Sequence, residues 1–173
     1  MDDHKILIMG GSCAGKSTTA ERLGKKLNIP VLHMDLYDPY AVPAGAARDA
    51  RKQQMVDTIH KTMVGPEWII EGVYQWYAFD ERMAAADVLV MLRAPAMARI
   101  WRYIKTCVLR QKRHGRQGFS AKNFRWNHVW YMMRHMDAPY DLIMQTAKKY
   151  PNLRVVELKS FRAMDDFIKT YSR

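Results

Sequence analysis

Apolar residues fall along this chain in two rhythms. Short runs at 5–9, 31–34, 68–70, 88–92 and 153–158 read as strands, and the first opens directly onto glycines, as a buried strand feeding a turn does. Between them apolar positions recur at helical spacing. The segment 17–28 carries Ala20, Leu23 and Leu27 on one side, and Ile29-Pro30 stops it. Further helices are predicted over 46–63, ended by Gly65-Pro66, over 79–86, and from Pro95 to about residue 113. Two more are expected at 121–136 and 139–150, with a last one from about Arg162. Strands alternating with helices from end to end predict right-handed βαβ units, a mostly parallel α/β sheet, and ligands at the carboxyl ends of its strands.

At those strand ends stand the residues with chemistry to offer. The first strand runs into GGSCAGKS, with Gly10, Gly15, Lys16 and Ser17 on the spacing of a phosphate-cradling loop. In such a loop backbone N–H groups point at the phosphates, the next helix adds its positive end, Lys16 reaches the outer oxygens, and Ser17 ligates Mg²⁺. Gly11, Ser12, Cys13, Ala14 and Thr18 complete the expected nucleotide-binding stretch. Cys13 reads as a small residue in a tight turn rather than a redox thiol, because no partner thiol is in view. Asp35 ends the second strand, where a carboxylate can take a proton from an attacking hydroxyl or reach Mg²⁺ through water. Asp38, before Pro39, reads as a turn cap. Glu71-Gly72 ends the third strand, with the acid orienting metal or substrate and the glycine allowing close approach.

Composition sharpens the picture at one point. The chain has 173 residues, a single domain's length, and a net charge of +11. No acid occurs from 88 to 136, while 11 basic residues do, so the remaining 17 balance all 17 acids elsewhere. Such a field attracts nucleotide phosphates or nucleic acid. On the helix after Pro95, Arg99, Arg102, Arg110 and Arg113 project within roughly 80° of one another, with Met97, Trp101, Ile104 and Val108 on another side. They lead into HGRQG, a glycine-flanked loop able to hinge over phosphates and deliver Arg116. The interleaved aromatics suggest base stacking, but Phe124, Trp130 and Tyr131 fit packing better. No run of about 18 apolar residues predicts a membrane span. MDDHK does not read as a signal peptide, and Cys13 and Cys107, expected in dissimilar surroundings, point to neither a disulfide nor a zinc site. The expected setting is the cytoplasm, and the expected state a monomer or homodimer.

With these residues assembled, the chain resembles the adenylate-kinase-related P-loop proteins of the DNA topology modulation (FlaR-like) family. The likeness runs through GGSCAGKST, LNIPVLHMD, EWIIEGVY, DERMAAADVLVML, the HGR loop and RVVELKSFRAMDDFI. It implies a three-layer nucleoside-monophosphate-kinase fold with strand order 2-3-1-4-5 and a helical lid, with the basic lid loop at 110–122 and an acceptor-binding helical insertion at 40–65. It also implies ATP as donor, with Arg110 and Arg162 on the nucleotide and Arg113 and Arg116 closing from the lid. Nucleoside monophosphate kinases carry Asp-Gly-x-Pro-Arg after the third strand, whereas this chain reads Glu71-Gly72-Val73-Tyr74-Gln75, which disfavours an AMP or CMP kinase. Small-molecule kinases of the shikimate and gluconate type place an aspartate as Asp35 stands here. Arg48 and Arg51 either hold an anionic acceptor or are exposed helix residues. The expectation is phosphotransfer from ATP·Mg²⁺ to a small-molecule or nucleotide acceptor; the alternative is an ATP-binding regulator that touches nucleic acid through 93–134.

Overall fold

The computed structural model describes residues 4–108, 124–134 and 138–171. Its frame is one parallel sheet of β1 (Lys5–Gly10), β2 (Val31–His33), β3 (Trp68–Glu71), β4 (Val88–Leu92) and β5 (Arg154–Leu158), in the order β2-β3-β1-β4-β5. The helices are α1 (Lys16–Leu27), α2 (Ala46–Met63), α3 (Phe79–Ala85), α4 (Ala96–Val108), α5 (Trp126–Arg134), α6 (Ala138–Ala147) and α7 (Phe161–Thr170). Two 3₁₀ turns, Met34–Tyr37 and Pro39–Ala41, follow β2. The architecture and strand order match the sequence expectation.

The two-residue period of the strands builds both sides of the core. Ile6 and Ile8 turn to the face packed by Ala20, Leu23 and Leu27 of α1 and Met164 of α7. Leu7 and Met9 turn to the other face, against Met55 and Ile59 of α2, Phe79 and Met83 of α3, and Ile143 of α6. Because β1 is central and pairs with both β3 and β4, its carboxyl end, where the glycine loop begins, is held by neighbours on both sides.

A third, smaller cluster joins α4 and α5 beneath the loop: Cys13, Ile100, Tyr103, Cys107, Val129 and Met132. It corrects two expectations. Cys13 and Cys107 share these surroundings, both buried as free thiols. Trp130 and Tyr131, assigned to packing, are more than half exposed, while Val129 and Met132 take the inner face of α5. On α4 the stripe of Met97, Trp101 and Val108 faces solvent, and the arginine side faces inward with Arg99 only 5% exposed. Among the described residues no helix is long and apolar enough to cross a membrane.

Candidate active site

The glycine loop is shaped by what lies against it. Gly10 has φ +150°, and a Cβ there would stand 2.4 Å from the carbonyl oxygen of Leu92. A Cβ on Gly11 would meet the Arg99 guanidinium at 2.6 Å. Cys13 takes a left-handed conformation at φ 58°, which for an L side chain costs about 1 kcal/mol or more and which its burial in the third cluster offsets. The loop ends at Gly15, the N-cap of α1, with no capping side chain and no acid in the first turn. Neither a capping side chain nor an acid of that turn thus competes for its N–H groups, as suits an anion-binding helix end. Lys16 donates from Nζ to the carbonyl of Gly11 at 3.2 Å, which places its ammonium across the loop. Ser17 stands half-buried in the same turn. These features fit a nucleotide's phosphates, with Ser17 as the hydroxyl for an accompanying Mg²⁺.

Three side chains that the sequence reading did not assign hold the loop. Arg99 donates from Nε to the Ser12 carbonyl at 2.8 Å. Arg102 donates to Thr18 Oγ1 at 2.7 Å and lies 5.1 Å from the ring centre of Phe161. His128 of α5 has Nε2 3.0 Å from Ser12 Oγ, its ring 4.9 Å from Tyr103 and 6.2 Å from Tyr131. The helical projection that grouped Arg99 with Arg102 held the signal for the first two; for His128 nothing in its local sequence did.

Lys16, Asp35 and Asp38 line one cavity of about 710 Å³ with Gly10, Gly11 and Ser12. Asp35 accepts a hydrogen bond from the Tyr74 hydroxyl at 2.9 Å, which orients its carboxylate. Asp38 accepts from the Tyr40 amide at 3.0 Å, the cap expected of it, and also faces the cavity. The lining is also aromatic, with Tyr40, Trp76 and Tyr131 all more than half exposed.

Other expected site residues stand elsewhere. Glu71 is 1% exposed and absent from the cavity wall. Its Oε2 lies 3.0 Å from His33 Nδ1, while Oε1 is buried without a hydrogen-bond partner among the described residues. The bond to Glu71 raises the His33 pKa above its ordinary value, against the opposing pull of burial. The freedom of Gly72 serves packing: at φ +137° a Cβ would lie 2.9 Å from Met34. Arg48 and Arg51 turn toward backbone, Arg48 to the Val42 carbonyl at 3.1 Å and Arg51 to that of Leu36 at 2.9 Å. The Arg162 side chain is 92% exposed, 3.8 Å from Asp166, and it is Phe161 that lies beside Gly15. Arg110, Arg113, Arg116 and the expected lid at 110–122 lie outside the described residues.

The loop after β3 is fastened from below by Arg82 of α3, which is fully buried. Its guanidinium donates to the carbonyls of Gly72 at 3.1 Å, Val73 at 2.9 Å and Tyr74 at 3.0 Å. Burial lowers its pKa to about 10, which leaves it charged at neutral pH. Tyr74 and Ala78 have positive φ in this loop, so Arg82 secures the backbone that brings Tyr74 and Trp76 to the cavity.

No family model matches the chain, and no curated protein does. Solved structures do share its fold. A shikimate kinase from Acinetobacter baumannii, in complex with shikimate, superposes with a TM-score of 0.58 at 13% identity, covering 97% of this chain and 90% of that one. A deoxyadenosine kinase from M. mycoides gives 0.53 at 17% identity, covering 95% and 96%. A putative kinase from Chloroflexus aurantiacus gives 0.58 at 14%, covering 95% and 94%. With the strand order and the glycine loop at the end of β1, these likenesses show the P-loop kinase fold.

Proposed function

We propose that the protein is a P-loop phosphotransferase that moves the γ-phosphoryl group of ATP to the hydroxyl of a small acceptor. The observation that carries this reading is the meeting of Lys16 and Asp35 in one cavity, at the mouth of an uncapped, acid-free helix N-terminus. ATP would supply the phosphoryl group, and Mg²⁺ neutralisation of its charge. The backbone of residues 10–18 would cradle the phosphates, Lys16 would neutralise charge on the transferred group, and Ser17 would hold the metal. Arg99 and Arg102 keep the loop in shape. Asp35, oriented by Tyr74, accepts the acceptor's proton as its oxygen bonds to γ-phosphorus and the bond to the β,γ-bridging oxygen breaks. By the family resemblance Arg110, Arg113 and Arg116 would come to the nucleotide from 110–122; Phe161, beside Gly15, takes the place at the nucleotide expected of Arg162, and the segment 40–65 forms the acceptor side. Catalysis of this kind is positioning plus charge neutralisation.

A coupled ADP-release assay over hydroxylated metabolites tests this. Lys16→Ala and Asp35→Asn should each lower turnover at least about a hundredfold, within the range general-base and charge-stabilising groups contribute. Turnover by Lys16→Ala equal to wild type would refute the assignment. A second reading, a nucleic-acid-binding regulator of the topology-modulation kind, draws on the exposed Trp101, Trp126 and Trp130, with Arg134 5.3 Å from the Trp130 ring centre. It requires DNA or RNA binding that weakens steeply with salt.

A further inference from the structure

The acceptor end of the cavity has a chemistry of its own. Two carboxylates face it, Asp35 and Asp38. Among the described residues the one lysine or arginine on its wall is Lys16, which belongs to the phosphate loop. The two arginines best placed in sequence to grip an anion donate instead to the carbonyls of Val42 and Leu36, and Arg48 lies over one face of the Tyr40 ring at 5.3 Å. Arg82, a third, is fully buried under the loop after β3. Among the described residues, then, an acceptor already bearing a phosphate or carboxylate would sit beside two negative charges with no guanidinium on the cavity wall itself. The same wall also offers flat surfaces. Trp76 is 71% exposed and Tyr40 58%, both on cavity-lining loops, and Tyr131 of α5 lines the same cavity. Exposed aromatic faces beside carboxylates suit a planar ring that is neutral or positively charged.

From this pairing we infer that the acceptor is a non-anionic ring compound with a free hydroxyl, in which the ring stacks on Trp76 and Tyr40 and the hydroxyl is held by Asp35. The inference rests on the phosphotransferase reading for the hydroxyl's fate, but the binding preference is measurable without turnover.

The test uses the full chain with its nucleotide site saturated by a non-hydrolysable ATP analogue. Calorimetry then compares adenosine, cytidine and pyridoxine with their 5′-phosphates. At least one unphosphorylated ring should bind about tenfold or more tighter than its own phosphate ester, as expected for charges this close in a partly enclosed site. Asp38→Asn, which retains an oxygen for the Tyr40 amide, should shrink that preference to about threefold or less. Trp76→Ala, at an exposed position, should weaken ring binding by about fivefold to a hundredfold, the range of base–aromatic stacking. Equal or tighter binding of the phosphate esters, indifference to Trp76→Ala, or no binding by any of the six compounds would overturn the inference. ADP release separates the two ideas. If rings bind in the expected order but none raises release above the Lys16→Ala background, the phosphotransfer reading fails and the acceptor-site chemistry stands. If only phosphate esters are turned over, the reverse holds.

Discussion

Replacing Arg82 by methionine keeps much of its length and apolar stem but removes, among the described residues, the side-chain donors to three carbonyls of the loop after β3. Two effects oppose each other. Methionine avoids the desolvation of a fully buried cation that has no carboxylate partner among the described residues, and such replacements can be neutral where both members of a pair leave together. Here the acceptors stay behind, and each buried orphan costs about 1–3 kcal/mol. The Gly72 carbonyl, bonded within the core, bears the full cost, while those of Val73 and Tyr74, at the cavity edge, regain part of theirs from water. A net loss of about 3 kcal/mol follows. In urea, with a slope of about 2 kcal/mol per molar, the midpoint should fall by about 1.5 M, and Tm by about 6–12 °C. Arg82→Lys should fall between, since an ammonium is a point donor and not a fork. The loop also carries Tyr74 and Trp76, so acceptor KM should rise in Arg82→Met even well below its Tm. Equilibrium unfolding followed by circular dichroism and tryptophan fluorescence reads the stability. A loss under about 0.5 kcal/mol, comparable to a surface substitution, would refute the view that Arg82 fastens the loop.

Two further predictions concern the neighbouring elements. The raised pKa of His33 means that its protonated form, bonded to Glu71, adds stability in full below the unfolded value of 6.5 and loses it as pH rises through the folded value. The stability gap between wild type and Glu71→Gln should therefore narrow from pH 5.5 toward alkaline pH; a gap constant with pH would contradict the pairing. Arg99→Ala should weaken nucleotide binding by roughly tenfold, a single charge-assisted hydrogen bond's worth, because the Ser12 carbonyl loses its donor and the loop its brace. Nucleotide titration at fixed ionic strength reads this, and unchanged affinity with unchanged stability would remove Arg99 from the loop's support.

Much of this protein is local physics and so was legible in one dimension. Short apolar runs have little alternative to buried strands, and Gly10, Gly15 and Lys16 mark a tight glycine turn opening onto a helix because backbone conformation and a helix end are properties of adjacent residues. The Asp38 turn cap was visible for the same reason, and Asp35 could be placed by its position at a strand end. What the tertiary structure decided depends on residues far apart in the chain. Glu71 became the buried partner of His33 because β2 and β3 pair in the register that sets those two side by side. The arginine face of α4 turned inward because the loop's carbonyl and hydroxyl oxygens needed donors, leaving Met97 and Trp101 to the solvent. Cys13 and Cys107 met because α4 and α5 cover the loop together. Arg82 reads in sequence as one more charge on a short helix, and only the fold puts three carbonyls around it. Periodicity tells which side of a helix is apolar; where a polar side chain goes is decided by which unpaired backbone groups the fold brings within reach of it.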